Sequence, residues 1–210
     1  MIVQVVKFDI KPTHIALFKA LLEDDKQGSK NEAGLLEMRL YQDKNFPNLF
    51  FAYERFDNQS AIDHHATQQY TKVLLEALPT ISNKAPEIFY LNATTPAPLF
   101  EKNPKTVNTE DELFIMFCIL KINSDYKAEL LTQFKEHITQ TRQQEQGNLL
   151  FDLYTVENQE DTLVIYEHWR KESDLWDIHF SQPYVIETAK LMEKAVIGEI
   201  KQYMSFVTEL

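Results

Sequence analysis

The sequence predicts an α+β protein made of two tandem ferredoxin-like modules, each running β-α-β-β-α-β. Three observations carry that prediction. Identical residues recur at a nearly constant offset, strand-type and helix-type patterns follow in the same order in both halves, and a proline-rich stretch separates them.

The repeat comes first, because a missed repeat miscalls the whole fold. Gly34 and Gly147 stand 113 positions apart, as do Tyr41 and Tyr154, Tyr53 and Tyr166, and Glu54 and Glu167, with Phe56 matching Trp169. One inserted residue then moves the offset to 114, where His65 matches His179 and Tyr70 matches Tyr184. The local strings HATQQY and HFSQPY share the pattern His-x-(Thr/Ser)-Gln-x-Tyr.

Each element has its own signal. Copy one opens with alternating apolar positions from Ile2 to Ile10, and copy two does so from Leu113 to Ile122, as half-buried strands do. Pro12-Thr13 and Asn123-Ser124-Asp125 supply turn and helix-capping chemistry. Ile15, Phe18 and Leu22, and in copy two Leu131, Phe134 and Ile138, fall at helical spacing, with Gly34 and Gly147 as stop signals. Two strands follow, over Leu36–Leu40 and Leu49–Phe56, then again from Leu149 and over Leu163–Trp169. A second helical region begins near Ser60 or Ser173, and Pro183 is expected to split it in copy two. Last strands are expected over Glu87–Asn92 and Glu199–Phe206. The split βαβ order places both helices on one face of an antiparallel sheet. The bare face then needs cover. The second copy supplies it naturally, as an internal pseudo-dimer of dimeric α/β-barrel type, with further homodimerisation left open. Domain bounds are residues 1–92, a linker over 93–111 containing Pro96, Pro98 and Pro104, and residues 112–210.

Composition narrows the function classes. Acidic residues outnumber basic ones 32 to 21, and the net charge of −11 disfavours nucleic-acid backbones and anionic membrane surfaces. No apolar run approaches the ~20 residues of a membrane span, and the N-terminus carries no signal-peptide pattern, so a cytoplasmic protein is expected. Cys118 sits in the apolar run FIMFCIL and reads as a small buried hydrophobe.

Tyr53-Glu54-Arg55-Phe56, Ser60-Ala61 and His65, with Tyr166-Glu167-His168-Trp169, Ser173-Asp174 and His179 in copy two, resemble the antibiotic biosynthesis monooxygenase family pattern. That pattern is an apolar strand ending in Glu-x-(Trp/Phe), a short spacer and a His in the next helix. The resemblance covers the chain apart from the linker. It implies a cleft between sheet and helices in each module. It also implies oxidation of quinols, anthrones or other phenolic substrates by molecular oxygen without metal or flavin. Haem-degrading members exist as well, but their constellation needs an Asn, and Leu113–Ile122 contains none.

Within that frame, His65 and His179 are the candidate catalytic residues, as proton acceptors for a phenol. Glu54 with Phe56, and Glu167 with Trp169, share a strand face and become candidate substrate-binding pairs, a hydrogen-bond acceptor beside a stacking surface. Tyr70 and Tyr184 are candidate hydroxyl donors to a substrate oxygen. Each has a structural alternative: a histidine bridging Glu54 or Asp63 to the backbone, a capping carboxylate, a core aromatic. Asp63, His64, His65, Asp177 and His179 invite a metal reading, but no HExxH and no cysteine pair supports one, so no metal and no cofactor is expected. The replacement of Trp by Phe56 in copy one indicates that the copies have diverged and points to copy two as the active copy, with binding by both left open. The expected activity is a cofactor-independent monooxygenase acting on an aromatic, phenolic or quinol-like small molecule. The alternatives are a non-catalytic binding or interaction protein of the same fold, and a non-oxidative isomerase of a small carbonyl signal molecule.

Overall fold

A computed structural model describes residues 1–100 and 103–210. The chain divides into two compact units, Met1–Leu91 with Thr208–Leu210, and Asn92–Val207.

Unit one contains β1 (Ile2–Asp9), α1 (Ile15–Ser29), β2 (Leu35–Asp43), β3 (Leu49–Phe56), α2 (Gln59–Thr67), α3 (Gln69–Ile81) and β4 (Glu87–Ala93). Its sheet is antiparallel in the order β4-β1-β3-β2. Unit two repeats the plan with β5 (Phe114–Lys121), α4 (Lys127–Gln144), β6 (Asn148–Val156), β7 (Gln159–Trp169), α5 (Pro183–Ala195) and β8 (Met204–Glu209). Its strands run β8-β5-β7-β6, also antiparallel. Both units are therefore ferredoxin-like α+β modules. Among the described residues no helix is long and apolar enough to cross a membrane.

Local chemistry accounts for the element ends. The Asn58 side chain caps α2 by accepting from the Ala61 amide at 3.1 Å. Asn123 does the same for the Asp125 amide at 3.1 Å, opening the short turn before α4. Helix α1 ends at Ser29, ahead of the expected glycine stop, and Gly34 instead forms the turn into β2. Its φ of +98° is open to glycine, and a Cβ there would stand 2.8 Å from the Ala61 Cβ.

Two elements differ from the sequence-based expectation. The last strand starts at Met204, because Gly198 turns the chain (φ +84°) and Ile200–Tyr203 forms a 3-10 turn. The break in the second helical region occurs in both units, at Gln68 without proline and at Gln182 before Pro183. In unit two the first piece is a π-type turn, Asp174–Ile178, followed by a 3-10 turn, His179–Ser181. Gln182 is extended (ψ 139°), as a residue before proline prefers.

The core of each unit lies between its sheet and its helices. In unit one Phe18 of α1 packs between Phe8 and Phe50, with ring centroids 5.1 and 5.0 Å away. Burying one such ring contributes about 2–3 kcal/mol. In unit two the matching positions are Leu120, Leu130 and Leu163, all wholly buried, and Phe134 of α4 packs edge-on against Phe151. The segment expected to link the modules, 93–111, includes residues 101 and 102, which lie outside the described residues. Its remainder is tied down within unit two. Thr94 Oγ1 donates to the Leu153 carbonyl at 2.7 Å, Arg142 Nη1 to the Ala97 carbonyl at 2.9 Å, and Lys105 Nζ to the Glu145 carbonyl at 2.7 Å.

Candidate active site

Small register changes align the units residue by residue. Ile10 and Asp25 precede Ile122 and His137 by 112 positions, Glu32 precedes Glu145 by 113, and His65 precedes His179 by 114.

In unit one, Gln4 of β1 stands opposite Glu54 of β3, and its Nε2 donates to Glu54 Oε2 at 2.6 Å. Phe56 shares the Glu54 face of the strand. Helix α2 brings His65 against Phe56, ring centroids 5.6 Å apart. On its other side, His65 Nδ1 meets Glu32 Oε1 at 2.9 Å, and its Nε2 lies 3.6 Å from Asp25 Oδ2. Thr71 Oγ1 donates to Asp25 Oδ1 at 2.7 Å, and the Tyr70 hydroxyl donates to Glu32 Oε1 at 2.6 Å.

This surrounding sets the charges. Burial alone would lower the His65 pKa, but its bonds to Asp25 and Glu32 and their charges outweigh burial and raise it to about 9. His65 is thus an imidazolium at neutral pH, with Nδ1–H donating to Glu32. That departs from the expected neutral ring poised to accept a phenolic proton, and the two flanking carboxylates are the reason. Burial raises the Glu54 carboxyl above the usual range, against the opposing pull of Gln4 and His65. Burial and the bond to Glu32 push Tyr70 up to about 12, so it remains a neutral donor.

A cavity of about 630 Å³ opens between the sheet and α2–α3 of unit one. That size suits a small organic ligand. Glu54, Phe56, His65, Asp25, Gln4 and Thr71 gather along one part of its wall, and the rest is largely apolar. Tyr70, expected to reach a substrate oxygen, is absent from the lining and gives its hydroxyl to Glu32 instead.

Unit two keeps the frame and sets larger rings around its histidine. His179 Nδ1 meets Glu145 Oε1 at 2.9 Å, and the Tyr184 hydroxyl donates to the same oxygen at 2.7 Å. Where unit one has Asp25, unit two has His137, whose Nε2 lies 3.2 Å from His179 Nε2. Burial, then the neighbouring His179, holds His137 well below the ordinary histidine range. Where unit one has Phe56, Trp169 is wholly buried, 4.6 Å from the His179 ring, and spends its Nε1–H on Glu167 at 2.7 Å. His137 stacks on Phe134 and meets Phe151 edge-on. The tryptophan that pointed to copy two as the active copy is thus part of a packed ring cluster.

The remaining candidates sit elsewhere. Asp63 and His64 are exposed and bond along α2 to Gln59 and Gln68. Among the described residues no group of three or more His, Cys, Asp or Glu is arranged to hold a metal ion. Cys118 is buried, which pushes its thiol pKa far up. Sequence reasoning missed Gln4, Asp25, Glu32 and Thr71, and His137 and Glu145 in unit two. A signal existed for the glutamates, which recur two positions before the matched glycines. None existed for Asp25, because its counterpart is a histidine.

The family model for antibiotic biosynthesis monooxygenases matches residues 1–76 and 114–191. The chain belongs to the antibiotic biosynthesis monooxygenase family. Both matches cover the Glu-x-(Phe/Trp) strand, the histidine and the following tyrosine of one unit. No curated protein matches the chain in sequence. Among solved structures, a candidate monooxygenase of Fusobacterium nucleatum is similar at 17% identity and a TM-score of 0.80, over 100% of this chain and 92% of that one. A candidate monooxygenase of Lactobacillus acidophilus NCFM aligns at 16% identity and 0.71, over 99% and 93%. An anthrone oxidase-like protein aligns at 10% identity and 0.69, over 100% and 91%. At such identities these likenesses establish a shared fold, and function has to be argued from the site.

Proposed function

We propose that this family member is a cofactor-independent monooxygenase of a phenolic or quinol-like aromatic, and that its chemistry takes place in unit one. The observation that carries this reading is the unit-one cavity, which sets an apolar wall beside Glu54, His65 and Asp25. Glu54, whose basicity burial raises, accepts a proton from the bound ring system. The His65 imidazolium holds the oxyanion so formed, with Glu32 and Tyr70 fixing its orientation. The electron-rich anion gives one electron to O2, the two radicals combine into a carbon-bound peroxide anion that takes the proton back from Glu54, and loss of water from the hydroperoxide leaves a ring carbonyl. One oxygen atom ends in product and one in water, and the substrate supplies all the electrons. The apolar wall keeps bulk water away from the anion.

The test is oxygen uptake by the metal-free protein with a panel of anthrones and hydroquinones. His65→Gln and Glu54→Gln should each lose about a hundredfold or more in rate, while His179→Gln, checked for folding by circular dichroism, should not. Equal losses in both units would overturn the assignment to unit one. A second reading has an observation of its own. A basic carboxylate beside an imidazolium is also suited to moving a proton between carbons through an enolate. An isomerase would exchange substrate protons with solvent deuterium and consume no oxygen. A protein that does neither, yet binds the panel, is a binding module.

A further inference from the structure

We propose that unit two carries a ligand site of its own, a small cavity in which Asp174 binds a primary ammonium group. This goes beyond the chemistry proposed for unit one and does not depend on it.

The site begins with a difference between the copies. Gly34 and Gly147 match at an offset of 113, and so do Ala61 and Asp174. Each glycine makes room for the side chain at the second position. A Cβ on Gly34 would stand 2.8 Å from the Ala61 Cβ, and a Cβ on Gly147 would stand 2.5 Å from Asp174 Oδ2. The same seat thus holds a methyl group in unit one and a carboxylate in unit two. Asp174 is 7% exposed, and among the described residues neither of its oxygens has a hydrogen-bond or ion-pair partner. Holding an ionised carboxylate out of water without a partner is costly. It is not sealed, however. Both oxygens keep accessible surface, so a group in the adjoining cavity can reach them.

That cavity measures about 280 Å³, with Glu145, Gln146, Gly147, Trp169, Asp174 and Gln182 in its wall and no Lys, Arg or His. The other polar groups are acceptors or already committed. Glu145 Oε1 meets His179 Nδ1 and the Tyr184 hydroxyl. Gln182 Nε2 donates to the Ile178 carbonyl at 3.1 Å, which leaves its Oε1 as an acceptor. The cations nearby are engaged elsewhere. Arg170 serves Asp111 and the Thr106 and Gln146 carbonyls, and Lys105 serves the Glu145 carbonyl. Lys171 is exposed, makes no ion pair with Asp174 and lines a neighbouring cavity instead.

A wall rich in acceptors, with one free carboxylate and no cation, suits a cationic donor. An alkylammonium offers three N–H groups and forms a charge-assisted hydrogen bond with a carboxylate. A bare calcium or magnesium ion takes about six oxygen ligands, and no such group converges among the described residues. The cavity lies just below the roughly 300–1,000 Å³ of sites for drug-sized ligands, so the amine is a short one.

The probe is n-butylammonium chloride at about pH 7, where the amine is protonated. It is titrated into nitrogen-15-labelled protein against a sodium chloride blank, and the Gly147 and Asp174 amide and Trp169 indole resonances are followed. Wild type should show saturable shifts. Asp174→Asn and Asp174→Ala should weaken binding at least about tenfold, the worth of one charge-assisted hydrogen bond. Asp174→Ala installs the side chain that unit one carries at this place, which secures a folded comparison. Asp177→Asn, at an exposed acid three positions on, should leave the affinity unchanged. Neutral n-butanol should bind at least about tenfold more weakly than the amine. No saturable shift in wild type, equal affinity in the Asp174 variants, or butanol binding as tightly as the amine each overturns the site. Binding that emerges only after Lys171→Ala overturns it too, and assigns Asp174 to that lysine.

Discussion

Replacing His65 with glutamine should remove a stabilisation that wild type holds only while this histidine is protonated. The groups that face it are Asp25 on α1, Glu32 just after α1, and Glu54 on β3. Asp25 and Glu32 raise its pKa from 6.5 to about 9 in the folded chain. Because the folded state holds the proton more tightly, the extra stability is fully present below pH 6.5. It is lost as pH climbs through about 9. The gap corresponds to about 3 kcal/mol at about 1.36 kcal/mol per pH unit. Urea unfolding followed by circular dichroism at about pH 6 and about pH 9.5 measures it. Wild type should lose about 3 kcal/mol more than His65→Gln between those two conditions. Parallel pH profiles for the two proteins would refute the argument, and with it the imidazolium on which the proposed oxyanion contact depends.

Three further outcomes are expected. Gly28 lies inside α1, where alanine would ordinarily gain about 1 kcal/mol. The Tyr70 ring, however, stands 2.2 Å from the Cβ that alanine would add, so Gly28→Ala should destabilise wild type and stabilise a Tyr70→Ala background, as read by thermal melts. Trp169→Phe leaves a void and strips Glu167 of its donor, so it should cost about 2–4 kcal/mol in chemical denaturation and leave ligand binding in unit one unchanged. Cys118 should react with a thiol reagent only at the rate at which the protein unfolds, because its buried thiol resists ionisation.

The module plan was legible in the sequence because hydrophobic period and turn chemistry are local properties. The offset from Gly34 to Gly147 and the apolar run of β3 need no knowledge of the rest of the chain. The fate of Tyr70 and the charge of His65 depend instead on Glu32, which lies 33 positions before that histidine, in a turn with no periodicity to mark it. Likewise, a Trp reads as a stacking surface in sequence. Only its neighbours decide whether it faces a ligand or, like Trp169, a glutamate and a histidine. Asp25 was hidden for a sharper reason. It is the position at which the two copies differ in charge, and a comparison of copies rewards identity.

What both units keep is a single carboxylate oxygen shared by a histidine and a tyrosine five positions later: Glu32 with His65 and Tyr70, Glu145 with His179 and Tyr184. In an unbroken helix, residues five apart point about 140° away from each other and could not converge on one atom. The break at Gln68, and at Gln182 in unit two, redirects the chain so that they can. The break is therefore a requirement of the frame, which explains why it persists in unit one without a proline to cause it. The frame borders different space in the two units, since in unit two Glu145 and Trp169 line a cavity of about 280 Å³ whose lining does not include His179. Openness is decided one step outward, where Asp25 and Phe56 take less room than His137 and Trp169, and where Gln4 and Ser82 remain polar while Met116 and Val196 join the core. Unpaired polar atoms do not separate the copies, since unit two buries one as well, His137 Nδ1; what separates them is the size of the rings around the shared histidine.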